Sequence, residues 1–183
     1  MGYTVLIPDL YRGKSTLKAA EAHHLMDGLD WPRAVGEIGA AAAYLRSQGC
    51  AKVAVMGFCM GGALSLAAVT NCPEFDCALP FYGIPPDQLA DVTTLSKPIQ
   101  GHFGKLDSHT GFADVTAVEQ LQAKLDKAPA DATIYSYDTV GHAFMNNTPT
   151  GVEVKKANGH PHDPAAIEQA WARVKEFLAE HLK

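Results

Sequence analysis

The sequence is poor in cysteine, and this limits the chemistry that it can support. Its 183 residues contain four cysteines: Cys50, Cys59, Cys72 and Cys77. That density is too low for a small disulfide-bonded scaffold, and no two of them form the Cys-x-x-Cys pair of redox and zinc sites. The first residues also lack a basic leader and an apolar core of signal-peptide length. We therefore expect a cytoplasmic chain that requires neither a metal nor a cofactor.

Charged residues are also scarce, at 19% of the chain, and no run of basic residues occurs. Fifteen Lys and Arg against twenty Asp and Glu give a net charge of −5 and a pI near 5.9. A chain that binds nucleic acid or anionic lipid shows a basic patch, which is missing here. The composition favours a small-molecule partner and argues against nucleic acid.

Long apolar runs are missing too. The longest apolar stretch, residues 53–69, approaches the length of a membrane span, but glycines at 57, 61 and 62 interrupt it. A buried strand that continues into a helix explains this stretch better. We therefore expect no membrane association.

Short apolar runs alternate with helical patterns along the chain, which is typical of α/β proteins with a mainly parallel sheet. The pattern predicts strands at residues 3–8, 52–58, 77–82, 98–103 and 133–137. It predicts helices near residues 31–45 and 111–127, and a last helix that Asp163 caps and Pro164 begins. Residues 146–162, rich in Gly, Pro, Asn and Thr, are expected to form a long loop. No composition shift divides residues 1–183, so we expect a single domain.

The clearest motif is Gly57-x-Cys59-x-Gly61, placed between a predicted strand and a predicted helix. This is the nucleophile elbow, here with cysteine in the usual serine position. The turn strains its central residue and brings chain segments close, which excludes side chains two residues before and after. The helix N-terminus favours a thiolate, and the backbone amide of Met60 is placed to form an oxyanion hole. The alternative interpretations are a small buried cysteine, or a phosphate-binding turn in a flavodoxin-like protein.

A cysteine nucleophile requires a histidine as base and an acid that orients the histidine. In proteins with this elbow, the acid follows the nucleophile along the chain, and the histidine follows the acid. Asp107 lies just beyond the fourth predicted strand, and His142 lies just beyond the fifth. The sequence therefore predicts a Cys59, His142 and Asp107 triad. Asp138 competes with Asp107 as the acid, but it lies in the same loop as His142.

Other histidines are weaker candidates. His102 falls within its strand and is expected to be packed, and His109 has no evident carboxylate to orient it. His160-Pro161-His162-Asp163 resembles half of a metal site, but no partner ligands are evident, and a helix cap explains it better. The remaining candidates lie on helical patterns and are expected to be solvated: His23, His24 and His181.

Taken together, these motifs resemble the dienelactone hydrolase family. The segments that carry the resemblance are residues 6–11, 57–62, 103–107, 141–144 and 170–173. The resemblance implies a three-layer α/β-hydrolase fold with helices on both faces of the sheet. It also implies hydrolysis of a small ester or lactone by Cys59, His142 and Asp107 through a thioester, without a cofactor. A catalytically silent binding or scaffold protein is the alternative function.

The sequence departs from the family pattern in two respects. Dienelactone hydrolases hold the substrate carboxylate with arginines, but Asn146 occupies one of these positions and no arginine lies near Ala19 for the other. The family also has strands before the segment matching residues 3–8, and one of them separates that segment from the strand at residues 52–58. We therefore expect a domain without its first strands. Residues 3–8 then either pair directly beside residues 52–58 or leave an exposed gap for a partner to fill.

Overall fold

The computed structural model describes residues 2–157 and 159–183, which form a parallel sheet with helices on both faces. The helices are α1 (Ala19–Asp27), α2 (Trp31–Ser47), α3 (Met60–Asn71), α4 (Val115–Leu125), α5 (Pro149–Ala157) and α6 (Pro164–His181). The strands are β1 (Ala54–Phe58), β2 (Cys77–Phe81), β3 (Ile99–Gly104) and β4 (Ala132–Tyr137).

The four strands lie in the sheet in the order of the chain, β1-β2-β3-β4, and all neighbouring pairs are parallel. Phe58 of β1 pairs with Phe81 of β2, and Gly104 of β3 pairs with Tyr137 of β4. The carboxyl ends of the strands therefore lie along one edge, where the loops that follow them meet.

Helices α3 and α6 pack on opposite faces of the sheet. Side chains alternate along a strand, so Gly57 and Phe58 face opposite ways. A Cβ on Gly57 would lie only 1.9 Å from the carbonyl oxygen of Gly61, which places α3 on the Gly57 face. Through the strand register, Tyr135 shares the face of Phe58, and the guanidinium of Arg173 in α6 lies 3.9 Å from its ring centroid. The result is the three-layer arrangement that the sequence predicts.

The apolar stretch at residues 53–69 is a strand followed by a buried helix, as predicted. In α3 every residue from Gly62 to Val69 is buried, and the helix packs against β1, β2 and α2. Within the described residues, no helix combines the length and the apolar content needed to cross a membrane.

Most of the predicted elements are confirmed, with small shifts at their ends. Strands β1 to β4 fall within or beside the predicted runs, and α2 and α6 match their periodic patterns. The helix predicted from residue 111 begins only at Val115, because Gly111 has a φ of 74° and the chain turns before it.

The strand predicted at residues 3–8 is wrong. This segment has no regular secondary structure, but it keeps the burial alternation of a strand, with Leu6 and Pro8 half-buried while Val5 and Ile7 are 77% and 87% exposed. It does not join the sheet, and a groove of about 210 Å³ separates Leu6 and Pro8 from Val55 of β1. Ladder hydrogen bonds need a neighbour at about 4.8 Å, which this gap prevents. Of the two expected arrangements, the described residues show the exposed gap, and β1 is an edge strand.

The long loop predicted at residues 146–162 is also wrong in its centre, where α5 forms. Thr148 provides the cap, since its hydroxyl oxygen accepts a hydrogen bond from the Gly151 amide at 3.1 Å. Pro149 begins the helix, as proline does at first helical positions. The Thr148-Pro149 pair is typical of a helix start, but the glycines and asparagines nearby favour a loop. Asn158 lies outside the described residues.

Asp163 offers a test of the predicted cap on α6. Its carboxylate accepts hydrogen bonds from the amides of Ala165 at 2.9 Å and Ala166 at 3.3 Å. Asp163→Ala leaves these amides unpaired, so we expect a lower urea midpoint for unfolding. Asp163→Asn, which caps about as well, should keep the wild-type midpoint. Equal losses in both variants would contradict the capping role.

Candidate active site

Cys59 occupies a strained position between the last residue of β1 and the first residue of α3. Its backbone has a φ of 56° and a ψ of −121°, a region that residues with a side chain rarely adopt. Its amide donates to the carbonyl of Phe81 at 3.0 Å, which ties the turn to β2. Such strain persists only where the surrounding structure enforces it, and it is common at functional sites.

Three glycines allow the turn to close. A Cβ on Gly57 would lie 1.9 Å from the carbonyl oxygen of Gly61. A Cβ on Gly62 would lie 2.2 Å from the carbonyl oxygen of Phe81, and one on Gly83 would lie 2.0 Å from the carbonyl oxygen of Cys59. Each contact is with backbone, which cannot move away. The predicted requirement for glycine at position 61 is wrong, because a Cβ there would meet open space. The close approaches concern Gly62 and Gly83 instead.

The structure brings together the three side chains predicted from the spacing. The Sγ of Cys59 lies 3.0 Å from Nε2 of His142. Nδ1 of His142 lies 2.7 Å from Oδ2 of Asp107. A carboxylate can only accept, so the Nδ1 hydrogen is donated to Asp107, and the side chains form a chain from acid to imidazole to thiol.

The sheet explains this convergence. Asp107 follows β3 and His142 follows β4, at the edge where Cys59 follows β1. The amide of Leu106 donates to the carbonyl of Val140 at 3.0 Å, which joins the two loops directly. A Cβ on Gly104 would lie 2.3 Å from the Val140 carbonyl oxygen, so glycine permits this contact.

Two tyrosines that the sequence did not indicate lie near Cys59 and His142. The Tyr82 ring lies 5.2 Å from the His142 ring, and burial together with the charge of Cys59 raises the pKa of Tyr82. The Tyr11 hydroxyl donates to Sδ of Met60 at 3.5 Å, and burial and then the Cys59 charge raise the pKa of Tyr11. Both phenols therefore stay neutral beside Cys59. No sequence spacing predicts Tyr11 or Tyr82 at the site, because only the folded chain brings them there.

Met60 is the first residue of α3, directly after Cys59. The first amides of a helix have no partner within the helix, and they carry the positive end of its dipole. The amide of Met60 can therefore donate to an anion that forms beside Sγ.

Electrostatics favour a charged pair of acid and imidazole. Burial alone would raise the pKa of Asp107, but hydrogen bonds from His142 and from the amide and ring of His109 hold it below its usual value. Burial alone would lower the pKa of His142, but the hydrogen bonds and charges of Asp107 and Cys59 raise it to about 9. The site thus stabilises a carboxylate beside an imidazolium at neutral pH.

The competing candidates lie elsewhere, as expected. His102 is fully buried, with Nδ1 2.8 Å from the Tyr137 hydroxyl and Nε2 3.1 Å from Gln100. Burial and the charge of Arg173 lower the pKa of His102 to about 3, so it stays neutral. Asp138 is exposed and pairs with Lys105 at 2.6 Å.

Among the described residues, the remaining histidine candidates other than His109 make no hydrogen bond to Cys59, Asp107 or His142. His23 and His24 are exposed, and the half-buried His181 packs its ring against Phe177 at 4.4 Å. Asp163 caps α6, as the simpler interpretation of the 160–163 segment predicts, and Nδ1 of His162 is buried without a partner among the described residues.

The expectation that His109 lacks a carboxylate is wrong. Its Nδ1 donates to Oδ1 of Asp107 at 2.9 Å, and its amide donates to the same oxygen at 3.0 Å. An Asp whose side chain binds the amide two residues later forms an Asx turn, which the Asp-Ser-His order allows. The sequence does not reveal that the ring also turns back to the carboxylate.

Asp107, His109 and His142 also have ligand atoms within 4.8 Å of one another, which is close enough to surround a metal ion. Hydrogen bonds between these groups already involve both carboxylate oxygens and both Nδ1 atoms. An ion would have to break them, so the donor set fits a hydrogen-bonded cluster better than a metal centre.

Comparison with known proteins gives a consistent result. The sequence model of the dienelactone hydrolase family matches residues 1–182. A Saccharolobus solfataricus protein, provisionally named a carboxymethylenebutenolidase, is 33% identical over 137 residues, which are 74% of this chain and 47% of that protein. The carboxymethylenebutenolidase of Rhodococcus opacus is 29% identical over 140 residues, 70% of this chain and 50% of that protein. The chain spans about half the length of these two relatives.

Similarity to solved structures supports the fold. A structure from Klebsiella pneumoniae, provisionally named a dienelactone hydrolase, superposes with a TM-score of 0.77 at 19% identity. The match covers 94% of this chain and 73% of the other. At this identity the likeness shows a shared α/β-hydrolase fold.

The two neighbouring glycines of α3 provide a matched test of the turn. Gly62→Ala pushes a Cβ into the Phe81 carbonyl, and we expect it to lower the free energy of unfolding by about 1–3 kcal/mol. Gly61→Ala meets open space and should stabilise the helix by up to about 1 kcal/mol. Urea unfolding of both variants measures the difference, and equal effects would contradict the proposed contacts.

The raised pKa of His142 predicts a pH-dependent contribution to stability. The folded state holds the proton more tightly than the unfolded state, so this contribution is complete below about pH 6.5 and disappears as the pH rises through about 9. A pKa shift from 6.5 to about 9 corresponds to roughly 3 kcal/mol. The melting-temperature difference between wild type and His142→Gln should therefore be largest near pH 6. The same difference at pH 10 would contradict the charged pair, and His23→Gln provides an exposed control.

Proposed function

The chain belongs to the dienelactone hydrolase family, and on that premise we propose that it hydrolyses a small carboxylic ester or lactone with Cys59, His142 and Asp107. The matched family and the names of the relatives support the class of reaction. The geometry supports the assignment of the residues.

One observation carries the proposal: Cys59 sits at a strained strand-to-helix turn with its Sγ 3.0 Å from Nε2 of His142. A nucleophile within hydrogen-bond reach of a base, itself oriented by a third group, is the signature of covalent catalysis. Asp107 supplies that third group, and its side chain is fully buried, so water does not compete for His142.

In the first half of the reaction, the thiol proton already lies on Nε2 of His142, whose raised pKa favours the imidazolium, and the Cys59 thiolate attacks the carbonyl carbon of the ester. The carbonyl oxygen becomes an oxyanion, which accepts a hydrogen bond from the Met60 amide. When the intermediate collapses, the bond to the leaving oxygen breaks, and that oxygen takes the proton from Nε2. The acyl group remains on Cys59 as a thioester. For a lactone, the leaving hydroxyl stays attached to the same acyl group.

In the second half, water replaces the leaving group. Nε2 of His142 takes a proton from the water, whose oxygen attacks the thioester carbonyl. The C–S bond breaks and a carboxylic acid is released, which leaves the thiolate beside the protonated Nε2. Asp107 remains a carboxylate throughout and holds the imidazolium that forms in each half.

We propose an uncharged ester or lactone as substrate. The side-chain oxygen Oδ1 of Asn146 accepts hydrogen bonds from the hydroxyl of Thr148 at 2.8 Å and from the backbone amide of Thr148 at 3.3 Å. Asn146 thus organises the start of α5 and brings no positive charge to the loop after His142. A substrate carboxylate would therefore lack the arginine that the family pattern places at position 146.

The proposed nucleophile requires a reducing compartment. Cys59 and the other three cysteines are free thiols in the structure. A thiolate exposed to oxidant would be converted to a disulfide or a sulfenic acid. We therefore place the activity in the cytoplasm.

A catalytically silent binding protein is the second candidate. The observation in its favour is the open edge of β1, where Met56 and Phe58 are 41% and 38% exposed close to Cys59. Such a protein would keep the hydrogen-bonded residues and show no turnover.

Hydrolysis of p-nitrophenyl acetate at neutral pH separates the two candidates. Wild type should turn over, and Cys59→Ala should lose at least about a thousandfold in kcat, because removal of a nucleophile removes the covalent route. Cys50→Ala changes a half-buried cysteine outside the site and should retain full activity.

Rapid quenching followed by intact-mass measurement should show one acetyl group on the wild type and none on Cys59→Ala. Turnover of Cys59→Ala at the wild-type rate would overturn the proposed mechanism. A wild type without turnover and without acetylation would favour the silent protein.

A further inference from the structure

His109 is the group near the site that the proposed mechanism leaves unused. It lies two residues after Asp107, and its ring and amide both donate to Oδ1 of that carboxylate, at 2.9 Å and 3.0 Å. His142 donates to the other oxygen, Oδ2, at 2.7 Å. Each histidine therefore donates to a different oxygen of the same carboxylate.

The two imidazole rings also pack against each other. Their centroids are 4.0 Å apart and their planes are inclined by 35°. Tyr82 and Phe112 provide more distant neighbours of His142, with centroids at 5.2 Å and 6.2 Å. The ring of His109 is thus the nearest of these three aromatic neighbours of His142.

The accessibility of these groups differs in a way that matters. The Asp107 side chain is fully buried and that of His142 is 12% exposed, but that of His109 is 51% exposed. A buried carboxylate needs donors on both oxygens, because an unpaired oxygen there is costly. His109 supplies both donors of Oδ1 from the solvent side.

From this geometry we infer that His109 is a positioning residue. Its hydrogen bonds fix the Asp107 carboxylate so that Oδ2 faces Nδ1 of His142, and its ring packs against the His142 ring. The inference rests on the proposed function, since it concerns the same reaction. The Nδ1 of His109 donates to Asp107, and His109 makes no hydrogen bond to Cys59 among the described residues, so we assign it a role through its neighbours rather than on the substrate.

Two substitutions separate the hydrogen bond from the ring contact. His109→Asn places an amide nitrogen near the position of Nδ1, so it can still donate to Oδ1 but loses the ring. His109→Phe keeps the ring contact and loses the side-chain donor. Ser108→Ala, at an exposed position in the same loop, serves as the control.

We expect His109→Phe to lose about tenfold or more in kcat for p-nitrophenyl acetate with KM unchanged, because a hydrogen bond to a buried charge is lost. His109→Asn should recover most of this loss, and Ser108→Ala should match wild type. The downfield proton resonance of Nδ1–H in His142 should persist in wild type and His109→Asn, and should shift or broaden in His109→Phe. Melting temperatures confirm that each variant is folded.

A wild-type kcat and an unchanged His142 resonance in His109→Phe would overturn the inference. An equal loss of kcat in both variants with an unchanged resonance would overturn it too, since His109 would then act directly on substrate. If the wild type does not hydrolyse esters, the proposed function fails, but the resonance still tests whether His109 positions Asp107 and His142.

Discussion

The close approach of backbone segments around Cys59 is the constraint on which the site depends. The Phe81 carbonyl accepts from the Cys59 amide at 3.0 Å and would lie 2.2 Å from a Cβ on Gly62. β2 and α3 therefore hold the turn from two sides, and these contacts keep Cys59 at its positive φ. Without these contacts, the thiol would not face the edge of the sheet where the other two groups arrive.

The parallel sheet converts three distant positions in the chain into one cluster. Asp107 and His142 follow adjacent strands, and the Leu106 to Val140 hydrogen bond locks their loops together. Burial disfavours the charged forms of both Asp107 and His142. The hydrogen bonds and charges around each group outweigh this cost, so the carboxylate and the imidazolium are both favoured. A histidine on the solvent side completes the donors of the carboxylate.

The sequence was sufficient to predict what depends on local spacing. The Gly57-x-Cys59 turn, the four paired strands and the cap at Asp163 each follow from a few neighbouring residues, and so do the positions of Asp107 and His142 at strand ends. The errors concern tertiary context. Residues 3–8 have the pattern of a strand but no adjacent partner, and the ring of His109 reaches Asp107 only because the loop turns back. Nor does any local pattern distinguish Gly61, which meets open space, from Gly62, which meets Phe81.

The edge position of β1 has a consequence for Cys59. Strands at a sheet edge open locally at lower free energy than central strands, because only one ladder holds them. Cys59 follows β1 directly, so fraying of this strand would relax the turn and withdraw the thiol from the imidazole. A group that pairs with this edge would oppose such fraying and so hold the turn in place without contacting the thiol itself.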